Sequence, residues 1–226
     1  MKKTIGFIFA DEMEYKPFYE YVSTRGGATV AAGGKEYIHY VTENVEIYAA
    51  ESGIGKVNAA LAAADLYYNF KVTAVMSAGL SGAVSHLKKG DIVAGDSYVE
   101  CDFDLREFGY PLGKKPGGEY IYKADDELLS AALSHDGMKK GRLGTGDFFL
   151  TDSQKKDEYR NEFVINAFDM ESAGIAAACH KYGIPFLSIR KISDDADDTA
   201  IDSYREMNNL CEETLTEILL EVVSRL

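Results

Sequence analysis

Short apolar runs alternate with amphipathic stretches along the chain, and this alternation sets the elements to expect. Residues 4–10 form a continuous apolar run stopped by Asp11-Glu12-Met13-Glu14, the pattern of a buried first strand. Residues 15–22 have helical spacing, with Pro17 tolerated in a first turn. Residues 37–41 and 45–51 read as paired strands joined through Thr42-Glu43-Asn44. Ser52-Gly53-Ile54-Gly55-Lys56 then turns the chain into an alanine-rich helix over 57–68. Residues 72–77 read as a strand ending in the small-residue segment 78–83, and 91–99 as another, closed by Glu100-Cys101-Asp102. A long loop rich in aromatics and glycine covers 103–120; ordered loops of that length tend to be functional. A helix over 125–133 and a short strand over 142–146 follow, the strand leading into Asp147-Phe148-Phe149-Leu150.

The second half continues the alternation. An apolar run, Phe163-Val164-Ile165 and Ala167, leads into Phe168-Asp169-Met170-Glu171-Ser172-Ala173-Gly174, and a small-residue helix covers 174–179. Residues 185–192 read as a buried strand ending at Ser193-Asp194, with an aspartate-rich loop beyond. Residues 204–226 read as one closing helix with Met207, Leu210, Cys211, Leu215, Ile218, Leu219 and Val222 on its apolar face. Strands alternating with helices predict a central parallel or mixed sheet covered on both sides. In such sheets ligands collect beyond strand C-termini. The segments 11–14, 52–56, 78–83, 148–150, 169–171 and 193–194 all fall at strand ends, so they are the candidates for one site. The carboxylates of Asp169 and Glu171 sit where strand passes to helix, a place rich in free N–H groups that also suits an ordinary capping acid.

Composition narrows the function classes. With 226 residues and 46% hydrophobic content, the chain suits one globular domain over 1–226. The formal net charge is −13, and no basic cluster exceeds Lys88-Lys89 or Lys155-Lys156. A face that tracks phosphates on a nucleic acid or an anionic membrane is therefore not expected, whereas a small neutral or zwitterionic ligand is compatible. Three dispersed cysteines, without CxxC or a partnering histidine, argue for a reducing compartment and against a zinc site. The apolar run after Met1-Lys2-Lys3 is too short for a signal peptide, and no stretch is long enough to span a bilayer, so a cytoplasmic protein is expected.

Three familiar motifs fail on inspection. Gly53-Ile54-Gly55 lacks the third glycine of a dinucleotide fingerprint, since Asn58 stands there, and Ala50 and Val57 exclude a P-loop. A tight turn feeding a helix N-terminus beside a ligand is the better reading. Gly79-Leu80-Ser81-Gly82-Ala83 misplaces the last glycine of a nucleophile elbow. Asp194-Asp195-Ala196-Asp197-Asp198 lacks the central glycine and final glutamate of an EF-hand loop. No metal or organic cofactor is implied.

Glu14, Ser52-Gly53-Ile54-Gly55-Lys56, Phe168-Asp169-Met170-Glu171-Ser172 and Arg190-Lys191-Ile192-Ser193-Asp194 together resemble the purine nucleoside phosphorylase superfamily. More narrowly, they resemble the 5′-methylthioadenosine/S-adenosylhomocysteine nucleosidases, in matching order over nearly the whole chain. The resemblance implies a three-layer αβα sandwich around a mixed, partly barrel-like sheet, and cleavage of an N-ribosidic bond. It implies Asp194 as the acid that protonates purine N7, with Ser193 positioning it, and Glu171 as the carboxylate on the ribose hydroxyls beside Met170. Glu14 matches the water-activating base, with Glu12 the competitor two residues away. Arg190 is implied near the attacking water. Phe149 and Leu150 match positions around the purine. Leu105, Phe108, Pro116 and Tyr204 match an apolar rim for the 5′ substituent, partly donated by a neighbouring subunit of a homodimer, with Ile54 near the same end. Phosphorylases carry a glycine-and-arginine phosphate loop after the first strand and an arginine after the 72–77 strand; here 11–14 are acidic and Ser77 stands at the second place, which favours hydrolysis. One departure is Leu80, where nucleosidases of this type carry a serine. A phosphate-dependent phosphorylase, a hydrolase of another nucleoside such as futalosine, and a nucleoside-binding protein without turnover are the alternatives.

Overall fold

In a computed structural model the chain is described over residues 2–198, 200–209 and 213–226, with the side chains of 207–209 and 213 left aside. Ten strands form one mixed sheet. Its first half is open. β1 (Lys3–Phe9) lies parallel to β4 (Val45–Glu51), and β3 (Lys35–Val41) and β2 (Ala28–Ala32) extend it antiparallel to the edge. On its other side β1 runs parallel to β5 (Ala74–Ala83). From there the sheet closes on itself. β5 pairs with β10 (Phe186–Asp194), β10 with β6 (Ile92–Glu100), β6 with β8 (Lys139–Thr145), β8 with β9 (Ala167–Asp169), and β9 returns to β5. The short β7 (Tyr122–Lys123) adds to the edge of β6. The result is a mixed α/β sheet, half open and half barrel, flanked by helices, as the resemblance implied.

Helices cover both faces because each presents one apolar stripe. On one side α1 (Glu12–Ser23), α3 (Asp126–Leu133) and α7 (Glu213–Ser224) pack Phe18, Val22, Leu128, Ala132, Leu215, Ile218 and Leu219 onto Phe7, Phe9, Met76 and Ile189. On the other, α2 (Lys56–Phe70) and α5 (Ser172–Tyr182) lay an alanine-rich surface against Ile8, Val75, Val93 and Ile192. Alanine suits this side because α2 and α5 also press on one another; a Cβ at Gly174 would come within 2.6 Å of the Lys56 carbonyl oxygen. Each fully buried Ile, Leu or Phe contributes about 1.5–3 kcal/mol, so the two layers carry most of the stabilisation.

Several expectations need correction. Segment 78–83 is no loop: β5 runs unbroken through it, and all ten of its residues are buried. The end of β10 at Ser193 and Asp194 agrees with the expectation. The apolar run at 163–167 is divided, Phe163 closing α4 (Ser153–Phe163) and only Ala167 onward joining the sheet. The α4 helix escapes the pattern because it is highly polar and buries only Tyr159 and Phe163. β2 and β7 also went unrecognised, as Ala-Thr-Val-Ala-Ala alternates weakly and Tyr122-Lys123 is too short for a period. The closing helix is described as α6 (Ala200–Asn209) and α7; Leu210 and Cys211 lie outside the described residues, as does the side chain of Met207.

Candidate active site

The closed half of the sheet gathers charged side chains on its most crowded strand. Asp11 caps α1, its side chain accepting from the Glu14 N–H at 3.0 Å, and so sets Glu14 in the first turn. The Glu14 carboxylate turns back onto the sheet, accepting from the Ala10 N–H at 2.9 Å and the Leu80 N–H at 2.8 Å. In a capping box the glutamate would reach the cap residue's own N–H; here it reaches one residue further, to the strand end. Burial pushes the Glu14 carboxyl up to about 8, against the opposing pull of Arg190, with Glu171 and Asp11 adding to the rise. Such a group takes up a proton more readily than an ordinary carboxylate.

Arg190 is fully buried and binds the acids together. Its Nε lies 3.0 Å from Asp169 Oδ2 and its Nη2 3.8 Å from Glu171 Oε2. Ser188 Oγ accepts from Nε at 3.0 Å, and Ser172 and Ser77 Oγ accept from Nη2. Burial works against the guanidinium charge, and Asp169, Glu171 and Glu14 more than restore it. Asp169 in turn accepts from the Thr145 hydroxyl at 2.7 Å, from the Ser172 hydroxyl, and from the Glu171 and Ser172 N–H groups. Asp169 thus ties the start of α5 to β8 and serves as Arg190's counterion.

Glu171 hangs between two helix starts. Its Oε1 accepts the Gly55 N–H at 3.0 Å, so the exposed N-terminus of α2 meets a carboxylate of this chain. Gly53 and Gly55 have φ of 84° and 98°, which gives Ser52-Gly53-Ile54-Gly55-Lys56 its sharp turn. Burial raises the Glu171 carboxyl to about 7, against the pull of Arg190. Across the site, Asp194 accepts from the Ser193 hydroxyl at 2.6 Å and from the Ala196 N–H at 2.8 Å. Burial raises its pKa too. Ala196 holds φ 47°, strained for a residue with a side chain, in making that contact.

These groups explain the small residues of β5. A Cβ at Gly79 would overlap the Glu14 carboxylate and stand 2.5 Å from Arg190 Nη1; one at Gly82 would stand 2.7 Å from Asp194 Oδ1. The position facing Glu14 is therefore Gly79. Leu80, singled out in the sequence, meets Glu14 through its backbone N–H. The hydroxyl of Ser81 is buried without a partner among the described residues.

A cavity of about 400 Å³ opens over this cluster. Of the residues expected at the site, Glu14, Ile54, Phe149, Leu150, Met170, Glu171, Ser193, Asp194 and Tyr204 line it. Phe149 meets Tyr204 edge to face at 5.4 Å, so α6 leans over one wall. Arg190, also expected at the site, is not among the lining residues and lies behind them, paired with Asp169 and Glu171. Leu105 and Phe108 are not among the lining residues: they begin and end the outward 3₁₀ turn at Arg106–Phe108, and Phe108 is 77% exposed. Glu12, the alternative base, points to solvent. Asp11, from the candidate segment 11–14, also lines the cavity, as do Ile201 and Arg205, which were not anticipated; the helix carrying these two begins earlier than its polar start suggests. Among the described residues no group of three or more His, Cys, Asp or Glu is arranged to hold a metal ion.

Two carboxyl groups of raised pKa, Glu14 and Asp194, line one largely apolar cavity, with a third, Glu171, whose charge is felt at Glu14. That arrangement can donate one proton to a ligand and accept another. Comparison with known proteins bears on the same surface. The phosphorylase superfamily profile matches residues 4–224. A 5′-methylthioadenosine/S-adenosylhomocysteine nucleosidase of Bacillus velezensis is 35% identical over 195 residues, covering 81% of this chain and 83% of the relative. The Helicobacter pylori enzyme of that name, solved as a mutant with 5′-methylthioadenosine in its active site, superposes with a TM-score of 0.93 at 30% identity over 100% of both chains. A futalosine hydrolase mutant from Helicobacter pylori superposes equally well, at 0.93 and 29% identity, over 99% of this chain and 100% of that one.

Proposed function

The chain belongs to the phosphorylase superfamily, and we propose that it hydrolyses the N-ribosidic bond of 5′-methylthioadenosine and S-adenosylhomocysteine, releasing adenine. The observation that carries this reading is that Glu14 and Asp194, both raised by burial, line one largely apolar cavity, Glu14 against Gly79 and Asp194 against Gly82 of β5. Asp194, steadied by Ser193 and the Ala196 N–H, protonates N7 of the purine, so the base leaves neutral. Phe149 and Leu150 wall the base. Glu171 accepts from the ribose hydroxyls beside Met170, and its charge favours the cationic sugar of the transition state. Glu14 takes a proton from the water that attacks the anomeric carbon from the opposite face, and Arg190 holds the acids in register.

Hydrolysis is favoured over phosphorolysis by charge. A phosphate at the attacking position would lie against Asp11, Glu14 and Glu171, and Arg190 is already engaged by Asp169 and Glu171. The likeness to futalosine hydrolase supports a second substrate reading, which a nucleoside panel separates. The whole chain acts as one domain in this reading. A homodimer completes the site, with Leu105 and Phe108 of each copy walling the other copy's 5′ end. Support comes from the exposed Phe108 and from Val57, Leu61 and Tyr68, which share one exposed stripe of α2 near Ile54. We place the protein in the cytoplasm, in methionine salvage, where the buried Cys101 and Cys179 stay as thiols. The test is adenine release by Glu14→Gln and Asp194→Asn, each expected to fall by about 10²–10⁴ with substrate affinity largely kept. Undiminished turnover in either variant would overturn the assignment.

A further inference from the structure

We propose that Arg205 reads a carboxylate at the far end of the substrate's 5′ substituent, so that the site is built for an anionic or zwitterionic tail as well as a neutral one. The inference rests on the nucleosidase reading above and extends it to a residue not involved in the chemistry. α6 turns one stripe toward the cavity: Ile201, Tyr204 and Arg205 all line it, at spacings of three and four residues that share a helical face. Arg205 is thus on the ligand side of its helix. Its side chain is nevertheless 74% exposed, which puts the guanidinium at the mouth and not on the floor.

Charge singles this arginine out. Among the described lining residues the ionised or ionisable acids are Asp11, Glu14, Asp169, Glu171 and Asp194, and Arg205 is the one cation. Arg190 stands behind them and is engaged by Asp169 and Glu171. A neutral 5′ tail is served by the apolar wall of Ile54, Ile201 and Tyr204 and leaves the guanidinium with nothing to bind. Among the described residues Arg205 pairs with Asp202, at 3.9 Å and 93% exposed, a contact worth little in water. The planar guanidinium therefore stays available for a carboxylate. The carboxylate of an amino-acid end matches it.

The experiment compares S-adenosylhomocysteine, its methyl ester and 5′-methylthioadenosine on the unaltered enzyme, Arg205→Ala and Arg205→Lys. Arg205→Ala should raise KM for S-adenosylhomocysteine about fivefold, the upper range for an exposed charge pair, with kcat unchanged. KM for 5′-methylthioadenosine and for the ester should stay within about twofold, Arg205→Lys should recover part of the loss, and 0.5 M salt should mimic it on the unaltered enzyme. Equal changes for all three ligands, or none for any, would overturn the assignment. If the unaltered enzyme releases adenine from no nucleoside, the reaction reading fails separately. Calorimetric affinities for acid and ester then decide on Arg205 alone: a preference for the acid that Arg205→Ala removes supports it, and its absence overturns it.

Discussion

At the scale of single residues, Glu14 is where function and stability oppose one another. Its carboxyl is raised to about 8 in the folded chain from an ordinary 4.5. Between those values the folded state holds a proton that the unfolded state has lost, so stability falls as pH rises through this window. The contribution is whole below about pH 4.5 and gone above about pH 8. Glu14→Gln removes the ionisation, so its stability advantage over the unaltered protein should grow from pH 5 to pH 9 and reach about 1–3 kcal/mol, read as a rising difference in melting temperature. Thermal unfolding across that range checks it; a constant difference would mean that Glu14 is not a strained, buried acid. Glu14 was legible through the family resemblance, with Glu12 left as the competitor until the structure placed Glu14 in the cavity and Glu12 in solvent. Leu80 lines the cavity and meets Glu14 through its N–H, but a run of small residues gives no sign of which Cα faces inward. Only the side chains leaning on Gly79 and Gly82 reveal it.

At the scale of elements, the turn before α2 couples the fold to the site. Gly55 combines φ 98° with ψ 159°, a region closed to residues with a Cβ, and its N–H holds Glu171. Gly55→Ala should cost about 1–3 kcal/mol and raise KM through displacement of the ribose carboxylate. Denaturant unfolding and steady-state kinetics on the same preparation test both halves; a loss of stability with unchanged KM would uncouple the turn from Glu171. Most elements were readable from periodicity, since buried strands and amphipathic helices carry their apolar positions in the sequence. α4 was not, as Ser153–Phe163 buries too few side chains to leave a period. The reach of β5 through 78–83 was hidden for the opposite reason: glycine and serine look like a turn, yet the crowding inside the closed half of the sheet demands them.

At the scale of the whole molecule, one chain supplies the proposed base, acid and ribose carboxylate but leaves Phe108 in solvent. A second copy is the proposed completion. Phe108→Ala should lower kcat/KM, and mixing it with Glu14→Gln should recover about a quarter of full activity, the share of intact sites expected from random re-pairing in a two-fold dimer. Size-exclusion chromatography with light scattering, run beside the mixing assay, reads the assembly; no recovery from a re-paired dimer would place Phe108 outside the partner's site. The sequence could point to such a loop through its aromatics and length, but a surface completed by another chain leaves no periodic signature in either.

The central claim is that water, not phosphate, receives the ribosyl group in a site of acidic character. Product analysis by mass spectrometry after incubation with 5′-methylthioadenosine, in phosphate-free buffer and again with added phosphate, tests it most directly. Adenine with the free thio-sugar in both buffers, at the same rate, is the predicted result. A sugar 1-phosphate formed only when phosphate is present, with no turnover without it, would contradict it.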